Sequence, residues 1–407
     1  MTVEPLSAAQ VAFVAEFVRT AGYEPTDIDQ VTAEQLFNLL SRAEEYETAT
    51  LHNGHNWELA FASLARRADQ FSPAIDQLLE KRHRQGELRR TESALWPDNK
   101  RFALCLTHDV DILHEDPMRF ISRRVGPMLG APARQQLMAA GKAIKLLSRG
   151  VSGQSRPTPP LDAWLALEDR FGFRSTLHFM ANEIGTQWDD GYYHLSDKID
   201  FDGQRVSIRD AMIQIDRGNW DVGMHPGSAT FRNTDLLKRQ KALLESNTAL
   251  QIRSTRQHHL YFDIRKTPLV LEAAGLMTDS TVGSNMDIGY RAGTGLPFFL
   301  YDLQSDRRIN VLEIPLIIQD VTLARTLADD EELMVSKAIE FLEHTEAVGG
   351  AITLLWHNHF RPGSLQFRVY ARILEAAAAL GAWGCSMRQL DNYWRERCGK
   401  LDTTCGS

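Results

Sequence analysis

Two carboxylates and an imidazole fall within four residues in Thr107-His108-Asp109-Val110-Asp111, directly after the apolar run 102–106. Acids so close repel unless something neutralises them. A divalent cation does so, leaving one carboxylate as ligand and the other as base. A second group, His225-Pro226-Gly227-Ser228, follows the short apolar stretch 221–224, where His225 is a candidate metal ligand. The third is Arg256-Gln257-His258-His259. An arginine there can orient a carboxylate base, and of two adjacent histidines on a strand only one faces the site. Residues 277–294, with Asp279 and Arg291, are rich in glycine and small polar residues and read as a shaped substrate loop. The last group, Leu354-Leu355-Trp356-His357-Asn358-His359, is an apolar strand ending in imidazoles, which places His357 as a general acid. Arg291 and Trp356 are expected to bind substrate. Reactive types gathered at several strand ends point to a metal-dependent hydrolase.

Positioning such residues takes a scaffold, and the hydropathy pattern supplies one. Residues 6–20 carry a helical apolar stripe, and 32–47 predict a helix with Thr32 as N-cap and Gln35 as its capping-box partner. Further helices are expected at 60–70 and 73–81, then a linker or exposed helix end at 81–90. From residue 101 strands and helices alternate. Strands are expected at 102–106, 175–180, 221–224, 253–259, 311–318 and 351–356. Helices are expected at 161–171, 236–250, 267–274, 331–344 and 366–380. Serial βα units imply parallel strands covered by helices, and roughly 300 residues suit a closed or nearly closed barrel. Between Met118 and Leu161 lies an insertion with eight basic residues and no acid. It reads either as a solvated helix docked by its apolar face or as a surface for a membrane or an anionic ligand.

The chain has 407 residues, with 45 Lys+Arg against 53 Asp+Glu, a net charge of −8. The length suggests two or three domains, and 43% hydrophobic residues exclude a disordered chain. The acidic total argues against a general nucleic-acid binder. Four cysteines without CxxC spacing give neither a disulfide framework nor a cysteine zinc site. With no apolar window of membrane-spanning length and no signal-like start, a cytoplasmic protein is expected.

In order along the chain, THDVD, HPGS, RQHH, TDST and LLWHN resemble the five motifs of the polysaccharide deacetylase family, carbohydrate esterases of the chitooligosaccharide-deacetylase type. The HDVD-bearing bacterial branch is the nearest likeness, and it spans roughly residues 95–394. The resemblance implies an α/β fold, a distorted (β/α)7 barrel over 96–400, with residues 1–95 as a helical N-terminal region. It makes Asp109 the general base, Arg256 the residue that orients it, Asp279 the fourth-motif acid and His357 the general acid. Asp111 and His225 become metal ligands. The family's second metal histidine falls at Ala229, so Ser228, Thr230, His258 or a water must stand in, and His258 completes the expected set. The family's paired aspartates are adjacent, whereas Val110 separates them here. The implied cofactor is a divalent metal, Zn²⁺ first, and the substrate an N-acetylated amino sugar or glycan, anionic or carried on a lipid or nucleotide. Other C–N or ester hydrolysis, and a non-catalytic carbohydrate-binding relative, are the alternatives.

Overall fold

The computed structural model describes residues 5–48, 71–91, 94–113, 161–181 and 193–404. The expected helix at 60–70 and nearly all of the basic insertion lie outside the described residues. Helices α1 (Ala8–Thr20), α2 (Gln30–Leu40), α3 (Ala43–Thr48) and α4 (Ala74–Arg84) form the N-terminal part. Ser7 and Gln10 build the capping box of α1. The second helix starts earlier than its sequence pattern suggests. Asp29 is its N-cap and accepts Thr32 N–H at 2.9 Å, so Thr32 lies inside the first turn and the Thr32–Gln35 box does not form. A carboxylate three residues upstream is the stronger acceptor for those first amides.

Strand β1 (Phe102–Val110) is buried along its whole length, as a parallel strand covered on both faces should be. Its alternation sorts the interior. Phe102, Leu104 and Leu106 join one apolar cluster, while Ala103 and Cys105 join another that also holds Phe13, Phe37 and Tyr301. The chain continues through α5 (Leu161–Asp169), β2 (Thr176–Phe179), the hairpin β3 (Lys198–Phe201) and β4 (Gln204–Ser207), α6 (Ile208–Arg217), β5 (Asp221–Met224) and α7 (Thr234–Thr248). Next come β6 (Ser254–Thr255), α8 (Thr267–Ala273), β7 (Thr278–Asp279), β8 (Phe298–Asp302), β9 (Arg307–Glu313) and β10 (Ile318–Gln319). The last elements are α9 (Asp320–Thr326), α10 (Glu331–Val348), β11 (Ala351–Leu355), α11 (Leu365–Ala379), β12 (Ala382–Cys385) and α12 (Met387–Thr404). No helix among the described residues is long and apolar enough to cross a membrane.

The sheet order is β10-β11-β1-β2-β5-β6-β7-β9-β8, with β12 added along the first half of β1. Every pair is parallel except β8 with β9. The curl closes through the segment between β9 and β10. Ile314 N–H bonds to Asp279 O (2.8 Å) and Leu316 N–H to Val282 O (3.1 Å), and Ile317 N–H then crosses to Thr353 O on β11 (3.2 Å). The α/β barrel is therefore distorted where one strand-like segment serves both sides. Because its strands are parallel, their carboxyl ends open on one side, where α/β folds place their sites. The N-terminal helices share the barrel's core. Phe13 and Phe37 pack on Tyr301 with ring centroids at 4.8 and 5.1 Å, and Ile75 N–H bonds to Gly293 O at 2.8 Å.

Candidate active site

The site begins with the extended backbone of β1. Residues two apart on a strand share a face, so Thr107, Asp109 and the following Asp111 turn inward together. The valine between the aspartates is what puts both on one side. His108 turns the other way. Its ring nitrogens meet Trp356 O (2.8 Å) and Glu168 Oε1 (2.7 Å) beneath α5 and α11, a buried structural contact.

Asp109 is buried among three cationic or donor groups. Arg256 Nη1 and His178 Nδ1 each stand 3.3 Å from its Oδ1, and His225 Nε2 is 3.8 Å from its Oδ2. Burial alone would raise this carboxyl. The charges of His225 and Arg256, with His178 beside it, overcome that and hold it well below the usual carboxylate range. Arg256 is itself fully buried and fixed. It donates Nε–H to Ser280 O (2.8 Å), Nη1 to Thr107 Oγ1 (2.7 Å) and Nη2 to Ser280 Oγ (2.6 Å).

Asp111, His225 and His258 each offer one ligand atom, all within 4.8 Å of one another. His225 Nδ1 lies 2.7 Å from Arg256 O, which fixes the tautomer with Nδ1–H donating and leaves the Nε2 lone pair aimed inward. That lone pair meets Asp111 Oδ1 at 3.3 Å, and this buried oxygen completes no hydrogen bond. A proton on Nε2, which the neighbouring carboxylates favour, or a divalent cation in its place would bridge this nitrogen and Asp111. One carboxylate and two imidazoles form a set suited to a divalent transition metal, so the residues fit the expected ion. Burial opposes both charged forms here. It is overcome at Asp111, held below its usual range by His225, His357 and His258, and at His225, raised by Asp109 and Asp111.

His357 lies across the opening, with Nε2 at 3.6 Å from Asp111 Oδ2. Asp320, the first residue of α9, accepts from the His357 backbone N–H (2.8 Å) and holds Nδ1 at 2.7 Å. Burial would lower this imidazole, but Asp320, Asp111 and Asp109 together push it up to about 10. These carboxylates favour the protonated ring.

Asp279 does not reach the opening. It is held by Thr281 Oγ1 (2.7 Å) and stands in register with Glu313 on β9, behind Arg256. Burial pushes Asp279 up to about 6 and, with Asp279 as neighbour, Glu313 well above its usual value, so the pair retains a proton in the fold. In the unfolded chain both would ionise above about pH 4. The folded state thus binds more protons, and stability falls as pH rises through this range. Glu313→Gln should flatten that fall in melting temperature between about pH 5 and 8, since Gln still accepts Val282 N–H (2.9 Å) through Oε1. An unchanged slope would show that other groups dominate.

Arg291 and Trp356, expected to bind substrate, lie elsewhere. Arg291 is buried, pairs with Glu45 of α3 (2.9 Å) and donates to Gly283 O (2.8 Å), so it ties the N-terminal helices to the loop 280–294. Trp356 is fully buried, donates Nε1–H to Gln366 O (3.0 Å) and packs 5.2 Å from Tyr370. Alternation at the end of β11 turns Trp356 outward and His357 inward. His258 and His259 are not on a strand at all. β6 ends at Thr255, and the two rings stack at 3.8 Å in a short turn where His259 has φ 59°.

Three contributors were not anticipated: His178, Asp320 and Glu313. Each is a titratable residue within a predicted strand or just after one: His178 beside Leu177 and Phe179, Glu313 after Val311-Leu312, and Asp320 two residues after Ile318. His178 also depends on Gly223. A Cβ there would come within 2.5 Å of the His178 ring and 2.6 Å of Ser254 Oγ. Gly223→Ala should lower stability by about 1–3 kcal/mol and shift the His178 ring, measurable as a drop in melting temperature.

Solved structures resemble this chain. One, from Mycobacterium smegmatis and assigned as a polysaccharide deacetylase, is 16% identical with a TM-score of 0.46, covering 74% of this chain and 93% of that one. Another, from Bordetella bronchiseptica and assigned as a polysaccharide deacetylase involved in O-antigen biosynthesis, is 13% identical (TM-score 0.35; 70% of this chain, 93% of that one). A peptidoglycan deacetylase from Bacillus subtilis is 10% identical (TM-score 0.34; 75% and 98%). No family model and no curated protein matches the sequence.

Proposed function

We propose that the chain is a metal-dependent hydrolase that removes N-acetyl groups from an amino sugar or glycan and releases acetate. The observation that carries this reading is a base and an acid on either side of one ligand trio. Asp109 Oδ2 lies 3.8 Å from His225, and His357 Nε2 lies 3.6 Å from Asp111. The resemblance of its five motifs to those of polysaccharide deacetylases supplies the substrate class. A divalent ion held by Asp111, His225 and His258, Zn²⁺ first, would acidify a water and polarise the acetamide carbonyl.

Asp109, kept ionised and oriented by Arg256, takes the proton as the water oxygen bonds to the carbonyl carbon. His357 starts protonated and delivers its proton to the departing nitrogen as the C–N bond breaks. An amide needs that proton because an amine anion does not leave. Asp320 keeps the ring pointed at the site and steadies its charge. The products are acetate and a free amine. The reading also places the protein in the cytoplasm. The acid-free insertion at 118–161 favours an anionic or carrier-linked sugar.

Metal-loaded protein should release acetate from N-acetylated oligosaccharides. Parallel assays for ammonia and for ester cleavage separate the alternatives, since either product without acetate would replace this reading with another C–N or ester hydrolase. Absence of both stoichiometric metal and acetate would leave a carbohydrate-binding relative.

A further inference from the structure

The reaction as described makes no use of His178, although nothing separates it from the base. β1 and β2 pair with Asp109 directly opposite His178, and on a shared face this sets the imidazole beside the carboxylate. The ring is fully buried, on a strand otherwise made of Thr176, Leu177 and Phe179. Neither ring nitrogen completes a hydrogen bond, and both lie outside the cluster of Asp111, His225 and His258. Gly223 on the next strand leaves the space the ring fills.

We propose that His178 is a positioning residue for Asp109, a neutral imidazole whose Nδ1–H is directed at Oδ1 so that Oδ2 alone is left to take the proton. Arg256 Nη1 and His178 Nδ1 approach the same oxygen, each at 3.3 Å. Two donors on Oδ1 turn the other oxygen towards His225 and the ligand trio, where the attacking water must stand. Burial, the largest influence, pushes the His178 imidazole down to about 4, which agrees with a neutral ring that carries a single N–H. The role differs from that of Arg256. The arginine fixes Asp109 and balances its charge, whereas a neutral donor fixes orientation without adding a second cation beside the metal ligands.

The kinetic part of the test rests on the deacetylase reading, and the spectroscopic part does not. His178→Phe keeps the volume and removes the donor; His178→Asn keeps a donor near the position of Nδ1. With melting temperature followed in parallel, His178→Phe should lower kcat by about 10–100-fold with little change in KM or bound metal, and His178→Asn should recover a substantial part of it. Equal losses in both variants, or a Phe variant within about twofold of wild type, would overturn the assignment. Nitrogen-15 spectra of histidine-labelled protein, assigned by loss of one ring in His178→Asn, should show the Nδ1–H tautomer. An Nε2–H tautomer would overturn it independently. If the wild-type protein releases no acetate, the functional reading fails while the tautomer still decides the role of His178.

Discussion

Asp109→Asn is expected to reduce acetate release by about 10²–10⁴-fold while the protein still folds and takes up metal. The amide has the shape of the carboxylate, and its oxygen can still accept from Arg256 Nη1. Its nitrogen, placed where Oδ2 was, donates and cannot receive a proton. Arg256 is not abandoned in this variant, because Ser280 O, Ser280 Oγ and Thr107 Oγ1 continue to engage it. Without those bonds the loss of a buried partner would cost about 3–5 kcal/mol and confuse catalysis with unfolding. The three ligands lie outside the substitution, so metal content measured on the same sample separates a lost base from a lost site. Activity within tenfold of wild type, with metal bound, would move the base to another residue. Asp111 would then be the first alternative, since it shares the face of β1.

How much of this the sequence revealed depends on whether a residue acts through its neighbours in the chain or across the sheet. Asp109, Asp111, His225 and His357 were legible because each ends an apolar run, and parallel strands bring such ends together. The barrel was legible for the same reason. The partners were not. His178 faces Asp109 through the register of β2 on β1, and Glu313 faces Asp279 through that of β9 on β7. Asp320 reaches His357 only because β10 pairs with β11. Register is a tertiary fact, set by packing on both faces of the strand and invisible in local spacing. Arg291 and Trp356 erred the other way. Trp356 adjoins His357 but packs on Tyr370, and Arg291, in the glycine-rich loop, is drawn to Glu45. The histidines at 258 and 259 were read on a strand that stops at Thr255, and it is the turn after it that carries His258 to the site.

That turn bears the second large effect: His258→Ala should cost the protein its metal as fully as His225→Ala does. The family's second metal histidine falls at Ala229, a residue of the short turn Ser228–Arg232 whose methyl group cannot coordinate. Thr230, in the same turn, is fully buried and its Oγ1 is engaged 2.8 Å from both Gly227 O and Gln257 Oε1. His258 comes instead from the turn that follows β6. Its ring lies 5.0 Å from that of His225, and the turn is pinned by Asn285 Nδ2, which donates to His259 O at 2.7 Å. Removing a residue that merely supports a ligand typically weakens metal binding by about 10–100-fold, so removing a ligand should reach at least the upper end of that range. Dialysed wild-type protein should bind about one ion per chain, and Co²⁺ in place of Zn²⁺ should give the absorption of a site with nitrogen and oxygen donors. His258→Ala that binds metal with wild-type affinity would remove His258 from the set. Loss of metal in His258→Ala and His225→Ala alike, with Asp109→Asn retaining it, would divide the same pocket cleanly into ligands and base.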